Sequence, residues 1–203
     1  MVLHSLPLFP LGSVLFPQGA LPLRIFEVRY LDMINKCILT GAPFGVVALT
    51  QGVEVQVPLG AEAFADVGTL ATVVHHESPQ PGLKVVQCLG SQRFRITRRE
   101  RLKHGLWIAD VEHLDADMAV ALPQELTSCA DTLRKVYTKL AAQALASPPA
   151  DSDSQWNDCA WISNRWCEIL PIPLPIKQRM LELDNPMIRL ELVNDILEKF
   201  QLL

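Results

Sequence analysis

From Val2 to Tyr30 the chain is almost continuously apolar, and its first formally charged side chain is Arg24. Four prolines, Pro7, Pro10, Pro17 and Pro22, punctuate the run. A proline ring fixes its own φ and steers the residue before it toward extended backbone. Leu6, Phe9, Phe16 and Leu21 each occupy that preceding position. The pattern predicts two short strands, 3–9 and 20–25, joined by a turn around Gly12 and Gly19. The prolines predict edge or bulge positions within them. A secretory signal needs a basic n-region and a small-residue cleavage site, and "MVLHS" has no Lys or Arg. A membrane-spanning helix would be broken by prolines at this spacing, and a lone open strand cannot satisfy its backbone in lipid. The segment is therefore expected to be extended chain buried in protein, with no membrane as partner.

At "FEVRYLDMINKCILTG" the period changes. Tyr30, Leu31, Ile34, Cys37 and Ile38 recur at three and four residues, which predicts an amphipathic helix over 27–39 that stops at Gly41. Strands are predicted at 44–50, 53–57, 67–77, 83–90, 93–103 and 106–115, with "SPQPG" (78–82) as a turn cluster. Such a set of short strands with one helix among them predicts a small closed or half-closed β-barrel. From Pro123 the periodicity becomes helical, with Leu126, Ala130, Leu133, Tyr137, Leu140 and Ala144 in one stripe. "SPPADSDS" (147–154) reads as a linker, and a second helix follows over 155–170 with Cys159, Ile162, Trp166 and Ile169 in register. "PIPLP" (171–175) stops it, and a short helix covers 175–183. The last helix opens with Asn185 as N-cap and Pro186 as its first residue. Its apolar residues, Leu192, Val193, Ile196, Phe200 and Leu203, are spread widely enough to predict that it is largely buried. The expected fold class is α+β: a barrel domain over 1–117 with one inserted helix, then a bundle of about four helices over 118–203.

Composition narrows the function classes. With 49% hydrophobic and 20% charged residues the chain can build a core, and a net charge of -4 gives no global pull toward nucleic acid or acidic membranes. Five scattered cysteines without a C-x-x-C pair predict buried thiols in a reducing, cytoplasmic setting rather than a disulfide framework. His75 and His76 fall on opposite faces of a strand, no H-E-x-x-H occurs, and no cysteine spacing suits zinc, so neither a metal nor another cofactor is expected. A Cys nucleophile would need a nearby His, and only Cys88 has one within local reach, His75 across a hairpin. No G-x-S-x-G elbow is present, and a hydrolase reading has no positive support. One local charge asymmetry stands out, Arg93, Arg95, Arg98, Arg99, Arg101 and Lys103 against a single Glu100. These residues could bind the phosphates of RNA; the competing reading is a solvated strand face that discourages edge pairing.

"LPLFPLGSVLFPQGALPLRIFEVRYLDMI" resembles the opening of the Lon protease N-terminal, substrate-binding domain, in particular its stand-alone bacterial versions. "GTLATVV" (68–74), "LGSQRFRI" (89–96) and "PIPLPIKQRMLELDNPMIRLELVNDIL" (171–197) agree with that family in the same order. The resemblance implies a PUA-like pseudo-barrel followed by a helical bundle, and a binding role in or around proteolysis. It does not imply proteolysis itself, because no G-x-x-x-x-G-K-[ST] loop occurs and a Ser–Lys peptidase domain has no room before Leu203. The implied partner is unfolded polypeptide or another protein, with nucleic acid the less favoured alternative. Candidate contact residues are Phe9, Phe16, Leu21, Phe26 and Tyr30 on the opening segment and Trp161, which lies off the apolar stripe of its helix; the competing and favoured reading is that the five opening residues fill the barrel core and that Trp161 packs against the barrel.

Overall fold

A computed structural model describes residues 2–52, 62–142 and 153–202. Six strands and five helices are formed among them, and the fold is α+β. The strands are β1 (Val2–Leu11), β2 (Ala20–Ile25), β3 (Phe44–Gln51), β4 (Ala63–Gln80), β5 (Leu83–Arg101) and β6 (Trp107–His113). The helices are α1 (Val28–Thr40), α2 (Thr127–Ala142), α3 (Cys159–Ile169), α4 (Leu174–Glu182) and α5 (Pro186–Lys199). The strand expected at 53–57 lies outside the described residues.

Two compact units result: residues 1–116 with 173–181, and residues 117–172 with 182–203. In the first, the strand order is β2-β5-β4-β3-β1-β6, and a further β5–β6 pairing closes the ring. The two opening strands do not pair with each other. β1 runs antiparallel to β6 through Val2–Leu8 and parallel to β3 through Leu8–Leu11. β5 is one long strand where two were expected. Its first half pairs with β2 (Lys84–Leu89) and its second half with β6 (Phe94–Arg101), while β4 pairs with it from Leu83 to Arg95. The hairpin turn is also tighter than the five residues of "SPQPG" suggest. Gln80 pairs with Leu83, leaving Pro81 and Gly82 as the corner, with Gly82 at φ 78°. Proline fixes the first corner residue and glycine alone takes the left-handed second without strain.

Side chains divide between two cores. Leu6, Leu8, Val47, Phe64, Leu70, Phe94, Ala109 and Val111 fill the barrel interior. Phe9, Leu11, Leu23, Ile25, Val86 and Cys88 form a second layer with Tyr30, Met33, Ile34 and Cys37 of α1. The Phe94 ring needs space that a side chain would take. A Cβ at Gly68 would lie 2.7 Å from that ring and 2.3 Å from the Val46 carbonyl oxygen.

α1 stops where Gly41 takes a left-handed φ of 69° and its N–H reaches the Cys37 carbonyl. Its first turn is fixed by a buried arginine. Arg29 donates to the Gly105 carbonyl at 2.8 Å and to Glu27 at 3.2 Å, and lies 3.6 Å from Glu62. α4 joins this first unit through two long-range bonds. Gln178 donates to the Val67 carbonyl at 3.0 Å, and Arg93 to the Leu181 carbonyl at 2.8 Å.

The second unit gathers α2, α3 and α5. α3 starts at Cys159 because the Asp158 carboxylate caps Ala160 and Trp161 N–H groups, so the expected helix over 155–170 loses its first turn to a 3-10 segment. α5 begins as expected, with Asn185 accepting from Met187 and Ile188 N–H and Pro186 in the first turn.

Candidate functional site

Most of the predicted contact residues are core. Phe9 stacks on Tyr30 with ring centres 4.0 Å apart and planes 14° apart, and Phe44 lies 6.2 Å from Phe9. Phe16 is completely buried. Phe9 fills the layer between sheet and α1, in line with the core reading of the opening segment, because α1 supplies a lid that local pattern does not reveal. Burial raises the Tyr30 hydroxyl pKa against the opposing pull of Arg29. Trp161 is buried as well. It packs edge-on to Trp156 at 4.8 Å, and the Arg165 guanidinium lies 5.8 Å from its ring. Phe9, Phe16, Tyr30 and Trp161 thus lie inside the structure and not on its surface.

Leu21 is half-buried against the layer under α1, which leaves Phe26 at the surface, on a face that the pattern along the chain does not delimit. β2 pairs with β5 and with no other strand among the described residues. The bond from Gly90 N–H to the Gly19 carbonyl, together with the unbroken register from Ala20↔Leu89 to Ile25↔Lys84, sets the phase of the ladder. Leu21, Leu23 and Ile25 bond toward β5. Ala20, Pro22 and Arg24 direct their backbone groups away from it. Pro22 thus sits where its missing N–H costs no ladder bond, as expected for a proline on an edge strand. Ala20, Pro22 and Arg24 are exposed, Leu21 is half-buried, and Phe26, one residue past the strand, is 57% exposed. Val28, at the start of α1, is exposed beside it. The alternation in "ALPLRI" carried the signal for Pro22 and Arg24.

The basic strand is largely spoken for. Arg93 is buried and bonds the carbonyls of Leu181 and Asp115, so it is a structural residue and cannot join a nucleic-acid surface. Arg95 lies opposite Glu112 and Arg98 opposite Asp110. Arg99 pairs with Asp66 at 3.5 Å and donates to the Phe64 carbonyl, while Arg101 covers the Trp107 ring at 5.7 Å. The Asp110 carboxyl is held below its ordinary pKa by the Ser5 N–H first, then by His4 and Arg98. Lys103 is exposed. A run that reads as strongly basic in one dimension is interleaved with carboxylates in three.

Catalytic chemistry finds no geometry among the described residues. Cys88 is buried facing α1, opposite Leu21 and Val73, whereas His75 is exposed, pairs with Gln87 and bonds Glu77 at 3.2 Å. Cys88 and His75 thus face different surroundings, as buried and rim residues do. Burial pushes the Cys88 thiol up to about 12 and the Cys129 and Cys159 thiols up to about 11, so all three stay protonated at neutral pH. No group of three or more His, Cys, Asp or Glu is placed to hold a metal ion among the described residues. No helix among them is long and apolar enough to cross a membrane.

The family model of the ATP-dependent protease La (LON) substrate-binding domain matches residues 5–199. The chain belongs to this family. The fold agrees with a Lon N-terminal domain protein from Xanthomonas campestris, 28% identical, with a TM-score of 0.71 over 95% of this chain and 98% of that one. The N-terminal domain of the Mycobacterium avium complex Lon protease shares the fold at 14% identity, with a TM-score of 0.60 over 94% and 96% of the two chains. The resemblance carried by the opening segment and the three later blocks thus extends over nearly the whole sequence.

Proposed function

We propose that this chain is a non-catalytic, cytoplasmic module that binds extended polypeptide along the open edge of β2. The observation that carries the reading is a strand edge without a strand partner among the described residues, with an exposed aromatic side chain, Phe26, at its end. An incoming segment would bond the outward backbone groups of Ala20 and Arg24. Its side chains would meet Pro22, Phe26 and Val28. Backbone bonding is indifferent to sequence, and the apolar anchor favours chains that expose hydrophobic residues, as unfolded proteins do. The family's description as a substrate-binding domain supports the same role. RNA binding through the basic strand is disfavoured by the carboxylates facing Arg95, Arg98 and Arg99.

The test is photo-crosslinking of the intact chain to a permanently unfolded, carboxymethylated model protein. Capture is expected, and Phe26→Asp should weaken it about tenfold, ~1.4 kcal/mol, without changing the melting temperature. Undiminished capture by a folded Phe26→Asp variant would remove the β2 edge from consideration.

A further inference from the structure

Helix α5 carries two apolar faces, and one of them is uncovered. Leu190, Val193 and Leu197 are fully buried. Arg189, on the same side, is gripped by Asp117 at 2.7 and 3.1 Å, by Asn164 at 2.9 Å and by the Leu183 carbonyl. The other face holds Ile188, Leu192, Ile196 and Phe200. These residues advance four at a time, so they climb one side of the helix as a ridge about 18 Å long. Ile188 is 45% exposed, Leu192 40% and Phe200 48%, with Ile196 half-buried between them. Single exposed apolar side chains are ordinary, but a contiguous row on a rigid helix marks a contact surface.

The charges beside the ridge indicate what it would contact. Glu191 and Asp195 each precede a ridge residue by one position, Glu198 follows near the end, and all three are exposed. The bases of this helix are Arg189, buried in its ion pair with Asp117, and Lys199 at the last position. The imbalance extends to the whole unit. Residues 117–172 and 182–203 hold twelve Asp and Glu against six Lys and Arg, whereas the barrel unit holds ten against twelve. A twofold pairing of two such ridges would set these carboxylates against their own copies. An anionic membrane or nucleic acid would be repelled in the same way.

The geometry points to the outer face of α5 as a docking ridge for a partner protein that presents a basic amphipathic helix. Apolar side chains of the partner at three- and four-residue spacing would lie along Ile188, Leu192, Ile196 and Phe200. Its flanking Lys or Arg side chains would meet Glu191, Asp195 and Glu198. This surface is independent of the β2 edge and of the polypeptide-binding reading.

The experiment is fluorescence anisotropy on the intact chain with a labelled peptide of about 18 residues, leucine along one helical face and lysine on the other. A second peptide carries glutamate in place of every lysine. The lysine peptide is expected to bind saturably and the glutamate peptide not to bind. Leu192→Asp should weaken the lysine peptide at least about tenfold. The double change Glu191→Lys with Asp195→Lys leaves the ridge intact and should reverse the preference between the two peptides. Phe26→Asp should leave this binding unchanged. The proposal is overturned if the lysine peptide fails to bind, if both peptides bind alike, or if the charge reversal does not change the preference. It is equally overturned if sedimentation shows a dimer that Leu192→Asp dissociates, because the ridge would then be covered by a second copy.

Discussion

β1 and α5 are both apolar on two faces, and they meet different surroundings. On β1, Leu6 and Leu8 enter the barrel interior while Phe9 and Leu11 enter the layer under α1, so both faces are covered. On α5, Val193 and Leu197 are covered while Leu192 and Phe200 meet solvent. Hydrophobic pattern states which faces favour burial. Whether a second layer arrives to cover them is a property of the tertiary fold. The useful consequence is that an apolar face left open on a rigid element is a better indicator of binding than apolar content itself.

The comparison can be broken by paired truncations, ranked here by expected effect. Phe9→Ala removes a ring stacked on Tyr30 and should cost about 3–5 kcal/mol in urea unfolding, whereas Phe26→Ala should stay within about 0.5 kcal/mol. A large loss at Phe26 would mean that its ring is packed and not available as an anchor. Next, Leu197→Ala should cost about 2–5 kcal/mol and Leu192→Ala, five residues earlier on the uncovered ridge, no more than about 0.5 kcal/mol. Equal losses at the two leucines would show that both faces of α5 are covered in solution. Third, Gly68→Ala should cost about 1–3 kcal/mol, because the new methyl meets the Val46 carbonyl and the Phe94 ring at once. A neutral result there would show that the barrel interior yields more readily than the packing around Phe94 implies.

Local signals were legible where the chemistry is local. The Asn185–Pro186 start of α5, the Gly41 stop of α1 and the Pro81–Gly82 corner each follow from one or two residues and their backbone preferences. The family, too, was readable in the opening segment. The closure of the barrel was legible only as a class, since β1 pairs with β3 and β6 through contacts distant in sequence. Arg93 illustrates the limit for the candidate sites. In sequence it heads a basic run, while in space its partners are the carbonyls of Leu181 and Asp115. For Phe9, Phe16 and Tyr30 pattern left core and groove open, and their burial comes from layers distant in sequence; Leu192 and Phe200, expected on a largely buried helix, are exposed for the converse reason. Ala20, Pro22 and Arg24 could be assigned to an outer face by their alternation, but only the β2–β5 register showed that this edge of β2 has no strand partner among the described residues.

The smallest predicted effect tests whether the layer beneath β2 is closed. Cys88 lies opposite Leu21 in the β2–β5 ladder, and its thiol is pushed from 9.0 to about 12, by burial first and by Cys37 second. The folded state therefore favours the neutral thiol. This contribution is complete below the unfolded pKa of 9.0 and is lost as pH rises toward about 12. Between pH 9 and 10 the linkage relation gives a loss of about 1 kcal/mol for such a thiol. Urea unfolding of wild type and Cys88→Ala across this interval reads it, since Cys129 and Cys159 titrate alike in both proteins and the coupling to Cys37 is secondary to burial. Wild type should lose about 1 kcal/mol more than the variant. Identical slopes would mean that solvent already reaches Cys88, so that β2 is not held against α1 as a closed layer. A slope difference that disappears when the unfolded model protein is bound would indicate that β2 moves to admit the incoming chain, and the open edge would then be only part of the polypeptide site.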